Sequence, residues 1–255
     1  MATELTAAER LGGLIATAGS VVALTGAGIS VPSGIPDFRS PGSGLWTNMN
    51  PMEIAHIDVF RSDPKRFWQF YAQRFHVLGD KQPNRAHELL AEWERDGHLD
   101  AVITQNVDRL HAKAGTRELI EMHGSIARSR CLICQRTYDY DEVTRRIALD
   151  RDEIPRCDCW EPLKPDVVLF GEQLPFLASV RAESYAADAD LLICIGSSLE
   201  VYPVADLPFR TLKHGGQVVI ITKSETDYDQ AAAIRLDGDV VDALEAVNSA
   251  LLAAG

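Results

Sequence analysis

The sequence predicts an α/β protein in which a parallel β-sheet is covered by helices on both faces. Short apolar runs rich in β-branched residues alternate along the chain with longer helix-forming stretches. Parallel strands need long crossover connections and are buried on both faces, so this alternation is typical of a parallel sheet. The 255 residues, 46% of them hydrophobic, are enough for one large domain with a smaller insert.

The elements are predicted in order from the N-terminus. Thr6 and Glu9 have the spacing of a capping box, which predicts a helix over residues 6–18. The apolar run 20–25 precedes a glycine turn and predicts a buried strand. Similar runs predict strands at 99–104, 118–122, 190–195 and 217–222. Helices are predicted over 64–78, 84–96, 177–189, 203–214 and 239–252.

Two segments interrupt the alternation of strands and helices. Residues 40–79 form a loop followed by a helix, and residues 125–165 contain four of the five cysteines. We expect these segments to form a small domain with a helical module and a metal-binding module. Residues 1–39, 80–124 and 166–255 then form the large domain that contains the sheet.

Charge and hydropathy exclude several classes of partner. The net charge of −12 disfavours nonspecific nucleic-acid binding, which needs a basic surface. The chain has no apolar run of about 18 residues, so we expect no membrane partner. Glycines interrupt the apolar stretch 11–29, and Glu4 and Glu9 precede it, unlike in a signal peptide. We therefore expect a cytoplasmic protein, with its oligomeric state left open.

The run 21–30 predicts a strand followed by the glycine turn Gly26-Ala27-Gly28 and the start of a helix. Such a turn lets backbone N–H groups approach a pyrophosphate, although a plain strand-to-helix turn is the alternative. The dinucleotide fingerprint has a third glycine and an acidic residue about 20 positions later. Val31 replaces that glycine and Asp37 comes much earlier, so a hydride-transferring dehydrogenase is disfavoured.

Five blocks in order resemble the sirtuin family of NAD-dependent protein deacylases. They span residues 26–30 with 34–39, then 104–111, 123–124, 170–172 and 196–199. The resemblance implies a Rossmann-like NAD-binding domain and a smaller zinc-binding and helical module. It also implies that NAD is consumed as an acyl group passes from a protein lysine to ADP-ribose, releasing nicotinamide and O-acyl-ADP-ribose. Acylated-lysine proteins are the expected partners.

The resemblance assigns catalysis to His123 and Asn106. His123 is the general base for a ribose hydroxyl, and an imidazole suits this because its pKa lies near neutrality. Asn106, with Gln105 and Asp108, follows the strand predicted at 99–104, and ligands of open α/β sheets lie beyond the carboxyl ends of strands. The alternatives are a satisfied histidine at a strand end and side chains that cap the next helix.

The expected NAD site extends over several loops. Phe38 shields the reacting ribose face, Arg39 meets a phosphate or the carboxamide, and Thr222 and Lys223 replace an asparagine that the family commonly has near the adenosine end. The predicted NAD-binding residues are Gly26, Ala27, Gly28, Ile29, Asp37, Phe38, Arg39, Gln105, Asn106, Asp108, Gly196, Ser197, Ser198, Thr222 and Val240.

Four cysteines form a candidate metal site. Cys131 and Cys134 have the usual C-x-x-C spacing, whereas Cys157 and Cys159 are one residue closer than in the family. Four thiolates in a reducing compartment predict one structural zinc ion, with an empty site or a labile metal as the alternatives. Cys194 stands in an apolar run and is expected in the core.

The predicted substrate-binding residues indicate which acyl groups are removed. Tyr71 and Arg74 share one face of the predicted helix 64–78, and Arg binds carboxylates bidentately. Sirtuins that remove succinyl or malonyl groups carry a similar Tyr-x-x-Arg, often with a small residue upstream, as Ala55 stands here. Gly171 and Glu172 are expected to line the groove where the peptide adds as a strand. The alternative is an aromatic core stripe with Arg74 exposed to solvent.

The predicted activity is therefore removal of acetyl and of succinyl or malonyl groups. Mono-ADP-ribosyl transfer and a nonenzymatic NAD-sensing or zinc-ribbon module are the competing functions. His123 and Asn106 weigh against the nonenzymatic module.

Overall fold

The structure, a computed structural model, describes residues 5–37 and 53–254. Two sheets organise this part of the chain. The strands, in chain order, are β1 (Val21–Thr25), β2 (Ala101–Thr104), β3 (Leu119–Glu121), β4 (Gly124–Cys131), β5 (Thr137–Asp139), β6 (Leu163–Val167), β7 (Leu191–Ile195), β8 (Gln217–Ile221) and β9 (Ile234–Leu236).

Helices connect and cover these strands. They are α1 (Ala7–Thr17), α2 (Ile57–Ser62), α3 (Pro64–Asp80), α4 (Arg85–Arg95), α5 (Leu110–Ala114), α6 (Tyr140–Leu149), α7 (Phe176–Asp188), α8 (Leu207–Lys213) and α9 (Val240–Ala254). Among the helices of the described ranges, none combines the length and the apolarity that crossing a bilayer requires.

The larger sheet has six parallel strands in the order β3-β2-β1-β7-β8-β9. Counted along the chain within this sheet, the order is 3-2-1-4-5-6, the Rossmann order. The strand order reverses between β1 and β7, so the loops that follow these two strands diverge at a topological switch point. The predicted α/β class with a parallel sheet is confirmed.

Alternate residues of each strand pack on opposite faces of this sheet, as the period of two requires. Ala23 and Ile193 face a core completed by α1, α4 and α9. Leu24 and Cys194 face a second core completed by α7 and α8, so Cys194 is a core residue as expected. Helices on both faces explain why the central strands β1, β7 and β8 carry apolar residues on both faces.

The smaller sheet is antiparallel, with the order β5-β4-β6. Its core combines the two inserted segments, because buried residues of α2 and α3 pack with residues of β4–β6 and α6. Trp68 of α3 is fully buried, and its indole N–H donates to the Leu163 carbonyl oxygen at 2.9 Å. This bond ties the helical segment to the cysteine-bearing segment.

The structure differs from the sequence-based expectation in a few elements. Residues Ala27–Ser33 form a 3-10 helix and not the start of an α-helix. Pro32 lies inside it and cannot donate a backbone hydrogen bond, and Gly34 ends it in the left-handed conformation. The pattern of the sequence did not predict β4–β6, β9, α2, α5 or α6, because these elements are short or carry mainly polar residues.

The two adjacent glycines of α1 provide a stability test. A Cβ on Gly12 would lie 2.8 Å from Ala250 Cβ and 2.8 Å from the Leu251 nitrogen, whereas a Cβ on Gly13 would meet nothing within 4 Å. Gly12→Ala should therefore lower the free energy of unfolding by about 1–3 kcal/mol, because α1 and α9 must separate. Gly13→Ala should raise it by about 0.5–1 kcal/mol through helix propensity. Urea unfolding measures both, and equal effects would contradict this packing.

Candidate active site

The loops that follow β1 and β7 touch each other at the switch point. The Gly28 N–H donates to the Gly196 carbonyl at 2.8 Å, and the Gly26 N–H donates to the Ile195 carbonyl at 3.0 Å. A Cβ on Gly28 would lie 2.7 Å from the Gly196 Cα, and Gly196 has a φ of 62°. Glycine is required here because two backbones meet. Both N–H groups thus bond within the protein, which the sequence did not predict.

The loop after β2 inserts polar side chains into the same region. Asn106 is buried, and its Nδ2 donates to the Gly26 carbonyl at 3.0 Å and to Ser30 Oγ at 3.2 Å. Ser30 Oγ in turn donates to Asp108 Oδ2 at 2.7 Å. Asp108 Oδ1 accepts the Leu110 N–H at 2.9 Å, so Asp108 also holds the start of α5. Burial raises the pKa of the Asp108 carboxyl group.

Two buried histidines lie beneath this cleft, and sequence reasoning missed both. The His111 ring Nε2 lies 2.9 Å from Thr25 Oγ1, which donates to Thr104 Oγ1 at 2.8 Å. The ring of His87 lies 4.8 Å from that of His111 and 3.5 Å from Ser30 Oγ. Burial lowers the pKa of His87 to about 4, so it stays neutral near pH 7. The sequence offered one signal for them, because His87 falls on the apolar face of the helix predicted over residues 84–96.

His123 lies in the turn between β3 and β4, and a hydrogen bond orients its ring. Nδ1 lies 2.9 Å from the Gln105 carbonyl oxygen, which can only accept a hydrogen bond. The proton of the neutral imidazole is therefore on Nδ1, and Nε2 carries the lone pair. Burial lowers the pKa of His123, which keeps the imidazole in the neutral form that a general base needs.

The Gln105 side chain connects two of the loops. Its Nε2 donates to Ser197 Oγ at 2.9 Å, and Ser197 Oγ also accepts the Leu199 N–H at 3.2 Å. The loop after β2 is therefore bonded to the loop after β7 as well as to the loop after β1. These contacts fix the cleft side chains relative to the switch point.

A cavity of about 320 Å³ adjoins the cleft. Both predicted catalytic residues and all five predicted substrate-binding residues line it, together with Gln105. Its walls are mainly apolar and include Val107, Ile126, Val168 and Leu169. The members predicted from sequence are His123, Asn106, Ala55, Tyr71, Arg74, Gly171 and Glu172.

Tyr71 and Arg74 lie on the cavity side of α3. The Tyr71 ring is stacked on Phe67, with centroids 4.3 Å apart, and burial raises the pKa of Tyr71 to about 12. The Arg74 guanidinium lies 5.2 Å from the Phe70 ring centroid. Burial lowers the pKa of Arg74, although a guanidinium remains protonated at neutral pH. Arg74 is half-buried and so is not the solvated surface charge of the alternative interpretation.

The turn that carries Gly171 and Glu172 closes another side of the cavity. Glu172 Oε2 lies 2.8 Å from Nζ of the buried Lys164 and accepts the Leu169 N–H at 2.9 Å. Phe170 pairs with the chain before α2, donating its N–H to the Ala55 carbonyl at 2.9 Å. The negative charge of Glu172 is therefore balanced within the protein.

The four clustered cysteines come together at the end of the smaller sheet. Their sulfur atoms all lie within 4.8 Å of one another. The sulfurs of Cys131 and Cys159 are 3.5 Å apart, and those of Cys134 and Cys157 are 3.4 Å apart. Tetrahedral Zn–S bonds of about 2.3 Å place sulfurs about 3.8 Å apart, so the geometry fits zinc. The short C-x-C spacing does not prevent this arrangement.

Four of the remaining predicted NAD-binding residues follow strands of the larger sheet. Thr222 follows β8 and is buried, and Val240 begins α9 and packs in the core with Ile29. Ser198 follows Ser197 in the loop after β7, and Ala27 begins the 3-10 helix. Asp37 is half-buried at the end of the first described range, and Phe38 and Arg39 lie outside the described residues.

Comparison with known proteins places this geometry in a family. The model of the Sir2 family matches residues 26–203. A protein of Sulfolobus acidocaldarius named NAD-dependent protein deacetylase is 47% identical over 225 residues, which cover 88% of this chain and 87% of that protein.

Solved structures agree over almost the whole chain. Sir2 with a p53 peptide and NAD+ has a TM-score of 0.87 at 39% identity, covering 96% of this chain and 98% of that one. Sir2 with a deacetylated p53 peptide and 3′-O-acetyl-ADP-ribose has a TM-score of 0.89 at 38% identity, covering 94% and 97%. The fold, the ordered sequence blocks and these matches agree. The chain therefore belongs to the Sir2 family of sirtuins.

Proposed function

We propose that this chain is an NAD-dependent protein lysine deacylase that transfers acyl groups to ADP-ribose. The observation that carries the proposal is the orientation of His123 as a neutral base. His123 shares one cavity with Asn106, and this cavity lies at the switch point of a sheet with the Rossmann strand order. The relative named as a deacetylase and the Sir2 complexes with NAD+ and acetyl-ADP-ribose support the same reaction class.

The residues of the cleft fit NAD because glycines leave room for it and uncharged polar side chains stand beside that room. The glycines at 26, 28 and 196 keep side chains out of the switch point, and Ser197 and Gln105 stand beside it. When bound, NAD would supply a ribose carbon at which an acyl oxygen can replace nicotinamide. The buried Asn106 amide is held by Gly26 and Ser30, so it can orient a ligand without reorganising.

His123 then accepts a proton at Nε2 from a ribose hydroxyl. Its Nδ1–H bond to the Gln105 carbonyl fixes the tautomer and also stabilises the imidazolium that forms. Val107, Ile126 and Leu169 line the cavity and exclude water from the acyl group. By keeping bulk water out, these side chains would favour transfer of the acyl group over hydrolysis of NAD.

We further propose that the acyl groups include succinyl and malonyl as well as acetyl. Arg74 and the protonated Tyr71 hydroxyl lie in the same cavity as His123, where a carboxylate at the end of an acyl chain could reach them. Glu172 is an acidic residue of this lining, and its pairing with Lys164 weakens the repulsion that it exerts on a carboxylate.

We also propose that Cys131, Cys134, Cys157 and Cys159 hold one structural zinc ion. Four thiolates complete a tetrahedral site and leave no position for catalysis. The ion would stabilise the sheet that supports α3 and the wall of the cavity. We also propose a cytoplasmic location, since a reducing compartment keeps the four cysteines available as thiolate ligands.

The acyl preference is tested with matched acetyl-, succinyl- and malonyl-lysine peptides and with nicotinamide release as the measurement. Arg74→Met should raise KM for the two acidic peptides about tenfold, because a charge-assisted pair is lost, and change the acetyl KM less than about twofold. Arg66→Met, an exposed arginine of the same helix, is the control. Absent succinyl turnover, or a succinyl KM that Arg74→Met leaves unchanged, contradicts the acidic-acyl proposal. Nicotinamide release without any acyl peptide contradicts the deacylase.

The pH profile tests His123 as the base. Because burial lowers its pKa below the ordinary 6.5, the imidazole stays neutral at lower pH than a free one. With the acetyl peptide, kcat/KM should stay level from about pH 8 down to the ordinary imidazole pKa and fall only below it. His123→Ala should lower kcat by about 10²–10⁴-fold. The exposed His214→Ala should have no effect, and an acid limb centred above 6.5 would rule out a buried neutral base.

Metal analysis tests the zinc site. Purified protein should contain about one zinc ion per chain, and Cys134→Ala should lose it together with several degrees of Tm, because a structural site contributes folding energy. Cys194→Ala is the matched control, since Cys194 lies in the core and away from the cluster, and it should retain zinc. Wild-type protein that binds no zinc on reconstitution would refute the site.

A further inference from the structure

The position of α3 determines where Arg74 lies in the cavity. Tyr71, Arg74, Phe75 and Leu78 of this helix all line the cavity. Asn106 and His123 instead follow strands β2 and β3 of the larger sheet. Recognition of an acyl carboxylate at a fixed distance from the reacting centre therefore depends on contacts that hold α3 against the sheet-bearing part of the chain.

Tyr140, the first residue of α6, makes two contacts with the C-terminal half of α3. Its ring is stacked on Phe75 with centroids 5.5 Å apart and planes 5° apart. Its hydroxyl donates to the Phe75 carbonyl oxygen at 2.8 Å. Burial raises the pKa of Tyr140, so the hydroxyl stays protonated and able to donate. Phe75 directly follows Arg74, so both contacts act on the turn that carries the guanidinium.

Gly79, in the last turn of α3, makes room for the side chain of Tyr140. A Cβ at this position would overlap the hydroxyl and the ring of Tyr140. Glycine weakens a helix interior, so its place in the last turn of α3 has a packing reason. The pair Gly79 and Tyr140 therefore lets the ring approach the helix backbone directly.

Two cations at the start of α5 and within it contact the end of α3 and the Tyr140 ring. Lys113 Nζ donates to the carbonyls of Gly79 at 2.8 Å and Lys81 at 2.6 Å, which caps the C-terminus of α3. The Arg109 guanidinium lies 4.8 Å from the Tyr140 ring centroid, a cation–π contact. Arg109 directly follows Asp108 in the loop that carries Asn106. Tyr140 thus connects the turn that carries Arg74 to the loop that carries Asn106.

We propose that Tyr140 is a positioning residue for acyl recognition, acting through the stack that Arg109, Tyr140 and Phe75 form beside Gly79. The inference rests on the proposed function, because it concerns the distance between Arg74 and the reacting centre. Loss of the Tyr140 ring would loosen the last turns of α3 and weaken binding of an acidic acyl group. An acetyl group has no carboxylate for Arg74, so its binding would change little.

The test compares Tyr140→Leu, Tyr140→Phe and Gly79→Ala with the wild type. In Tyr140→Leu, amide hydrogen exchange over residues 75–80 should become about tenfold faster, since local opening needs less free energy. KM for the succinyl peptide should rise about fivefold at nearly constant kcat, the signature of lost binding. Gly79→Ala should reproduce both effects because its Cβ displaces the ring, and Tyr140→Phe should give a smaller change.

Tyr228→Phe is the matched control. The Tyr228 hydroxyl also donates to a backbone carbonyl, that of Ala205 at 2.8 Å, but it lies beside the core of α7 and α8. Its loss should leave exchange in α3 and both KM values unchanged. If Tyr140→Leu does not fold, Gly79→Ala and Tyr140→Phe still decide the question.

Three results would overturn the inference. Unchanged exchange over residues 75–80 would mean that Tyr140 does not hold α3. Equal changes of KM for acetyl and succinyl peptides, or a raised KM for NAD, would mean a general structural role. Wild-type protein without succinyl turnover would refute the proposed acyl range and the recognition role with it. Faster exchange in Tyr140→Leu would then still show that Tyr140 anchors the helix.

Discussion

The contact between the backbones of Gly28 and Gly196 is the constraint on which the site depends. No side chain can enter between these loops, and the N–H of one is bonded to the carbonyl of the other. The loops after β1 and β7 are thereby fixed at the point where the strand order reverses. Asn106 bonds to the first loop and Gln105 to the second, so the loop after β2 is positioned by the same contact.

This arrangement sets the chemistry of His123. The Gln105 side chain joins the loops, and its backbone carbonyl orients the imidazole of His123. The same residue therefore positions the cleft and determines the tautomer of the base. Burial then favours the neutral ring. Beneath the cleft, the neutral His87 and His111 satisfy hydroxyl groups without adding charge near the cofactor.

The smaller sheet contributes the other half of the cavity. Trp68 bonds α3 to β6, and Tyr140 packs α3 against α6, so the helix that carries Tyr71 and Arg74 is supported by the segment that carries the cysteines. A zinc site at the end of this sheet would therefore influence substrate binding at a distance, through the position of α3. The sheet and the cavity share one core, in which Phe67, Trp68 and Leu163 are fully buried.

The sequence by itself determined the α/β class, all but the last strand of the parallel sheet and the ordered blocks that indicate the family, because period, composition and short motifs are local properties. It could not determine the strand order, nor that the Gly26 and Gly28 N–H groups donate to the end of β7 and the loop after it. Nor could it show that Ser30, His87 and His111 join Asn106 and Asp108 in one buried network. It also missed α6, whose Tyr140 contacts a helix more than sixty residues earlier. These features are contacts between segments far apart in the chain, and only tertiary packing brings such segments together.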